Sequence, residues 1–128
     1  MQSETRHLNS SLKIPPHIDT HQFSVYSYFM ASQDQAFTRF LHAIADPTRR
    51  RILQVLKIRG ACSIGKEVGL CACDIEERIH LSQPTISHHM RILQKAGLVE
   101  AQKEGHWRWY QRNERNIKQL AKTLRQTL

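Results

Sequence analysis

Leu81-Ser-Gln-Pro-Thr-Ile-Ser-His-His-Met-Arg-Ile-Leu-Gln-Lys-Ala-Gly97 carries a helix start, a helix stop and two faces of different chemistry. Ser82 suits an N-cap, because its hydroxyl can accept from a first-turn N–H, and Pro84 falls where no intrahelical donor is lost. Gly97 supplies the stop. Ile86, Met90 and Leu93 recur at helical spacing on one side, and Pro84, Ser87, His88, Arg91 and Lys95 fall opposite. That outer face has donors, imidazoles and cations but no carboxylate, a set that suits phosphates and base edges.

The flanking segments extend this reading. Upstream, Asp74-Ile-Glu-Glu-Arg-Ile-His80 places Asp74 as N-cap with Glu77 three residues on, and Leu81-Ser82 leads into the next helix. Two helices joined by a tight turn make a helix-turn-helix. Downstream, residues 98–112 read as two strands around a Glu104-Gly105 turn, with Trp107 and Trp109 alternating against Arg108 and Tyr110. A basic hairpin in that place is a wing.

Ala45-Asp-Pro-Thr-Arg-Arg-Arg-Ile-Leu53, Cys71-Ala-Cys-Asp74, Leu81-Ser-Gln-Pro-Thr-Ile-Ser-His-His-Met90 and Ala96-Gly-Leu-Val99 together resemble the ArsR/SmtB family of metal-sensing repressors, over residues 37–112. The resemblance implies a mainly α, dimeric winged helix-turn-helix with a β-hairpin wing. It also implies a repressor that leaves its operator when a toxic metal or metalloid binds. In the family the last helix can hold a zinc site of Asp, His and Glu. Here that helix has no His and no Asp, so the site does not carry over.

The expected DNA contacts are Gln83, Thr85, Ser87, His88, His89, Arg91 and Lys95 on the helix and Lys103 and Arg108 on the wing. The expected target is a double-stranded operator with an inverted repeat, bound by a homodimer. A net charge of +8 agrees with an anionic partner. A membrane surface is the weaker reading, because no basic amphipathic helix with a broad apolar face and no lipidation motif is present. No apolar run approaches transmembrane length, and no signal pattern opens the chain, so a cytoplasmic location is expected.

One domain is expected over residues 33–128, preceded by a polar, mobile arm over 1–32 with Pro15-Pro16, His7, His17 and His21. Phe23, Val25, Tyr26, Tyr28 and Phe29 are too apolar for pure linker, so the end of the arm is expected to pack on the body or a second subunit. Helices are expected over 34–45, over 47–59 with Asp46 as N-cap and Pro47 in the first turn, and over 116–128. The last has a narrow stripe of Ile117, Leu120, Leu124 and Leu128, fit for a partner helix. Arg49, Arg50 and Arg51 are candidates for DNA phosphate or for structural ion pairs.

Three cysteines without a secretory context argue against a disulfide framework. With Asp74 as N-cap, Cys71 and Cys73 lie before the helix in extended chain, where positions i and i+2 project to one side and can chelate one ion. The helix end and nearby cations would lower their pKa. Cys62, at the far side of a loop longer than the family norm, can fold back beside them, eased by Gly65 and Gly69.

Three thiolates suit pyramidal As(III) or Sb(III). Cd(II) or Pb(II) would often take a further sulfur or imidazole, and Zn(II) prefers four ligands. Two alternatives use the same cysteines: a redox or persulfide sensor on this fold, and a thiol-rich metal carrier. Enzyme readings lack support, since there is no phosphate-binding glycine loop, no His-Glu-x-x-His and no nucleophile elbow.

Overall fold

The computed structural model describes residues 19–128. The elements in order are α1 (Thr20–Ala45), α2 (Pro47–Val55), β1 (Leu70–Cys71), α3 (Ala72–Ile79), α4 (Gln83–Lys95), β2 (Val99–Glu104), β3 (Trp107–Arg112) and α5 (Glu114–Thr127). The chain divides into two compact units between Ala36 and Phe37, inside α1. His7, His17 and the Pro15-Pro16 interruption lie outside the described residues.

Residues 20–32, expected as part of the arm, are helical and belong to α1. Asp19 caps α1, its carboxylate accepting from Gln22 N at 2.7 Å, and no Gly or Pro interrupts the chain from there to Ala45. With a cap and no breaker, helix propagates back through the segment read as linker. Val25, Tyr28 and Phe29 on this part of α1 are exposed.

In the second unit, α2 begins as its sequence dictates: Asp46 is extended and accepts from Arg49 N at 3.0 Å, with Pro47 in the first turn. It ends at Val55, earlier than Arg59, and residues 57–69 form a loop closed at its base by Gly60 N donating to Glu67 O at 2.8 Å. Apolar side chains from every helix of this unit meet in one core. Ile52, Leu56, Ile75, Met90 and Leu93 are almost wholly buried there, with Leu70, Leu98 and Tyr110 from the sheet side.

The α3–α4 turn is made by His80, whose φ of 62° is left-handed, a conformation His tolerates better than most side chains. Helix α4 stops at Gly97 (φ +74°), where Leu98 N donates to Leu93 O and Gly97 N to Gln94 O, two bonds that define a Schellman cap. The chain then enters the hairpin. The sheet order is β1-β3-β2, antiparallel throughout, with Lys103 opposite Arg108 near the tip. The hairpin turn is Gly105-His106, one residue later than read, because Glu104 still pairs with Trp107. α5 starts two residues early, capped by Asn113, and lays Ile117, Leu120 and Leu124 on the core, while Leu128 is 96% exposed.

Candidate functional site

Two sites emerge, a cationic surface and a buried thiol corner. Helix α4 buries Ile86, Met90 and Leu93 and turns Gln83, Thr85, His88, Arg91 and Lys95 to solvent, with Ser87 half-buried. Lys103 and Arg108 are exposed on the wing. Among the described residues, Arg91, Lys95, Lys103 and Arg108 have no acidic ion-pair partner. Ser82 takes the extended N-cap conformation, but its hydroxyl meets Thr85 Oγ1 at 2.9 Å and makes no bond to the backbone.

His89 sits differently from its neighbour His88. It is half-buried, and its Nδ1 lies 3.3 Å from Arg49 Nη1. Arg49 is buried at the junction of three helices, donating also to Ala43 O at 2.7 Å and His42 O at 3.0 Å. Burial, with Arg49 and His88 adding to it against Asp46, holds the His89 imidazole below its ordinary pKa, so Nδ1 is available as the acceptor. Of the three arginines read as phosphate or ion-pair candidates, Arg49 is structural. Arg50 is exposed and reaches back along the chain, donating to Ile44 O and Ala45 O.

At the thiol corner, Cys71 is fully buried at the start of α3, and Cys62 is buried beside it. The two sulfurs and an Asp74 carboxylate oxygen all lie within 4.8 Å of one another. Asp74 Oδ2 accepts from Cys71 Sγ at 2.9 Å, Ser63 N at 2.9 Å and Ser63 Oγ at 3.1 Å. Burial alone would raise the Asp74 carboxyl, but these bonds outweigh it and hold the group below the usual carboxylate range. The Cys71 thiol is pushed up, first by burial and then by the bond to Asp74, with Ser63 opposing.

This corrects three expectations. Asp74 is not the N-cap of α3; its carboxylate is occupied by Ser63 and Cys71, and the helix begins at Ala72 with Cys71 in the cap position. Cys73 is therefore helical and exposed, and residues two apart in a helix point about 200° from each other. It does not share a side with Cys71. The Cys71 pKa is raised rather than lowered, because the thiol is buried and, after that, because its hydrogen-bond partner is the Asp74 carboxylate. The loop does fold back as its glycines allow, bringing in Cys62. Ser63 and the Asp74 oxygen were missed: Asp74 carried a signal, but a capping residue and a buried ligand look alike in one sequence.

The three-helix core, tight turn, exposed α4 face and basic hairpin define a winged helix-turn-helix DNA-binding protein. Comparison with known proteins refines this class. The model of the "bacterial regulatory protein, arsR family" matches residues 46–101. An uncharacterised HTH-type transcriptional regulator of Methanocaldococcus jannaschii is 41% identical over 80 residues, 62% of this chain and 81% of its own length. The arsenical resistance operon repressor of Staphylococcus aureus is 42% identical over 73 residues, 57% of this chain and 62% of its own. A cadmium resistance regulatory protein homologue of the same organism is 36% identical over 78 residues, 61% and 58%. The match thus spans less than two thirds of either resistance regulator.

Among solved structures, a possible transcriptional regulator for arsenical resistance aligns with a TM-score of 0.56 at 29% identity, covering 68% of this chain and 81% of that one. A homodimeric winged helix-turn-helix domain from Mycobacterium bovis aligns at 0.60 and 23%, covering 74% and 81%, and shows the shared fold. The chain belongs to the arsR family and is a transcriptional regulator, not an enzyme. No helix among the described residues is long and apolar enough to cross a membrane.

Proposed function

We propose that this protein is a cytoplasmic repressor that binds its operator as a homodimer and is released by As(III) or Sb(III) captured at cysteine thiolates. The observation that carries the reading is the buried cluster of Cys62, Cys71 and Asp74 at the foot of the helix preceding α4. Two soft sulfurs in a dry corner fit a thiophilic ion and offer little to a hard one. Arsenical resistance in the names of two Staphylococcus relatives agrees with this choice of ion.

Cys62 and Cys71 hold the ion in this reading. Cys73, now exposed on the next positions of α3, completes a three-thiolate set if the first turn of α3 opens. Such opening moves the helix that buttresses α4, and a ligand that binds the off-DNA state more tightly must weaken DNA binding by the same factor. On DNA, two copies of α4 enter successive major grooves about 34 Å apart on an inverted repeat. Gln83, Thr85, Ser87, His88 and Arg91 face the bases, while Lys95, Lys103 and Arg108 meet phosphate. His89 contributes by position through Arg49.

A second reading replaces the metalloid by Cd(II), Pb(II) or Zn(II). The Asp74 oxygen favours it, since a carboxylate donor beside two sulfurs suits a divalent ion better than a pyramidal trivalent one. Operator release titrated with arsenite and with Cd(II), in excess reductant, decides between them. Cys71→Ser and Cys62→Ser should keep DNA binding and lose release. Loss of release in Cys73→Ser marks the three-thiolate site; full release in that variant with failure in Asp74→Asn marks the mixed site. Release of the Cys62→Ser/Cys71→Ser variant by either ion would overturn both. Arg108→Ala should flatten the salt dependence of operator binding by about one unit, and an unchanged slope removes Arg108 from the phosphate contacts.

A further inference from the structure

The loop that carries Cys62 is fastened to the wing on its far side. Trp109 Nε1 donates to Val68 O at 2.9 Å. Lys66 Nζ lies 2.7 Å from Glu104 Oε1 and 5.5 Å from the centroid of the Trp109 ring. Cys71 is itself the ladder partner of Trp109. Between these points Gly69 has φ +86°, and a Cβ there would collide with Tyr110 O and stand 2.8 Å from the Trp109 ring nitrogen. Loop and wing are in backbone-level contact, with no slack for a side chain.

The strands that receive these contacts are the ones that carry the wing cations. Glu104 follows Lys103 on β2, Trp109 follows Arg108 on β3, and Lys103 and Arg108 face each other across the ladder. We propose that residues 60–70 are a coupling element through which an ion held by Cys62 and Cys71 is reported to the wing, by way of Trp109 and the Lys66–Glu104 pair. Drawing the two sulfurs together shifts the loop backbone. The pairing of Cys71 with Trp109 and the Trp109–Val68 bond pass part of that shift into β3, because packed contacts of this kind move as units. The wing then loses its pose on DNA along with α4. Trp109 and Lys66 are positioning residues, touching neither ion nor DNA in this scheme.

The inference rests on the thiophilic-ion reading, and its test separates the two. A duplex selected by the parent protein from a randomised pool serves as the DNA probe, and arsenite as the ligand. The coupling factor is the ratio of duplex Kd with and without saturating arsenite, measured on the full chain. Trp109→Phe keeps an aromatic ring, smaller than the indole, and removes the N–H; it should bind arsenite and the duplex separately much as the parent does, but with a coupling factor lower by about fivefold or more. Lys66→Glu should lower the factor by about twofold, as befits an exposed pair. Lys66→Glu/Glu104→Lys should restore it, a rescue that general loosening would not give.

An unchanged factor in Trp109→Phe and Lys66→Glu overturns the coupling while leaving the ion reading intact, as does failure of the charge-exchanged variant to restore it. A parent that binds neither arsenite nor Cd(II) overturns the ion reading and the coupling with it. A parent that responds only to Cd(II) moves the same measurement to that ion.

Discussion

The outer face of α4 and the thiol corner sit one short helix apart and are built on opposite terms. Arg91, Lys95, Lys103 and Arg108 stand in solvent with no acidic partner among the described residues, so the cationic surface is already in the form a polyanion needs. In the corner, the Cys71 thiol, Ser63 N and Ser63 Oγ all converge on one Asp74 oxygen, and no buried side-chain N or O among the described residues lacks a partner. An exposed site binds by adding contacts. A satisfied buried site binds only by breaking some, and that necessity is what allows occupancy to change the shape of the molecule.

The largest break in this contrast should come from Asp74→Ala. It strands the buried Cys71 thiol and removes the acceptor shared by Ser63, and about 1–3 kcal/mol of stability should be lost in urea unfolding at neutral pH. A loss under about 0.5 kcal/mol, the ordinary range for a surface substitution, would mean the corner is wetter than its burial states. Arg91→Ala should do the reverse, leaving stability within that same range while weakening specific operator binding by about 1–3 kcal/mol if the guanidinium meets guanine. Equal losses on specific and random duplex would assign Arg91 to phosphate instead.

His89 belongs to neither extreme, and pH exposes it. Its folded pKa is lowered, so the unfolded state takes up a proton first as pH falls. The stability it contributes is therefore present above the ordinary histidine pKa and declines as pH drops from there through the lowered folded value. His89→Gln, which keeps an acceptor for Arg49, should remove that segment of the stability–pH curve. Curves that stay parallel for parent and His89→Gln would show that the Arg49 contact does not depend on a neutral ring. The smallest change should follow Ser82→Ala, a few tenths of a kcal/mol, because this cap residue makes no bond to the backbone. Measured beside Asp46→Ala, whose carboxylate does accept from Arg49 N, it should cost clearly less in thermal unfolding.

Much of the fold was written in local signals. The Ile86, Met90, Leu93 stripe, Asp46-Pro47, Gly97 and the alternating wing each act within a few residues, and the structure realises them through the cap, the Schellman bonds and the antiparallel ladder. The same locality made the outward face of α4 readable, since a helix start and a 3.6-residue period fix which side chains leave the core. His89 lies near the border of that face, and the period could not say which way it turns; a guanidinium forty positions earlier in the chain does.

What the sequence by itself determined was the order of the helices, the hairpin, the cationic reading face and the fact that a long glycine-bearing loop could return Cys62 toward Cys71. Only the tertiary structure decided which cysteines meet. A single residue such as Asp74 can cap its own helix or accept from a distant Ser63, and the two choices shift the helix start by three residues and turn Cys73 from the inside to the outside. Local propensities differ little between those choices. Burial of the corner, which rewards satisfying Cys71 and Ser63 with one carboxylate, makes the difference, and burial is a property of the whole fold.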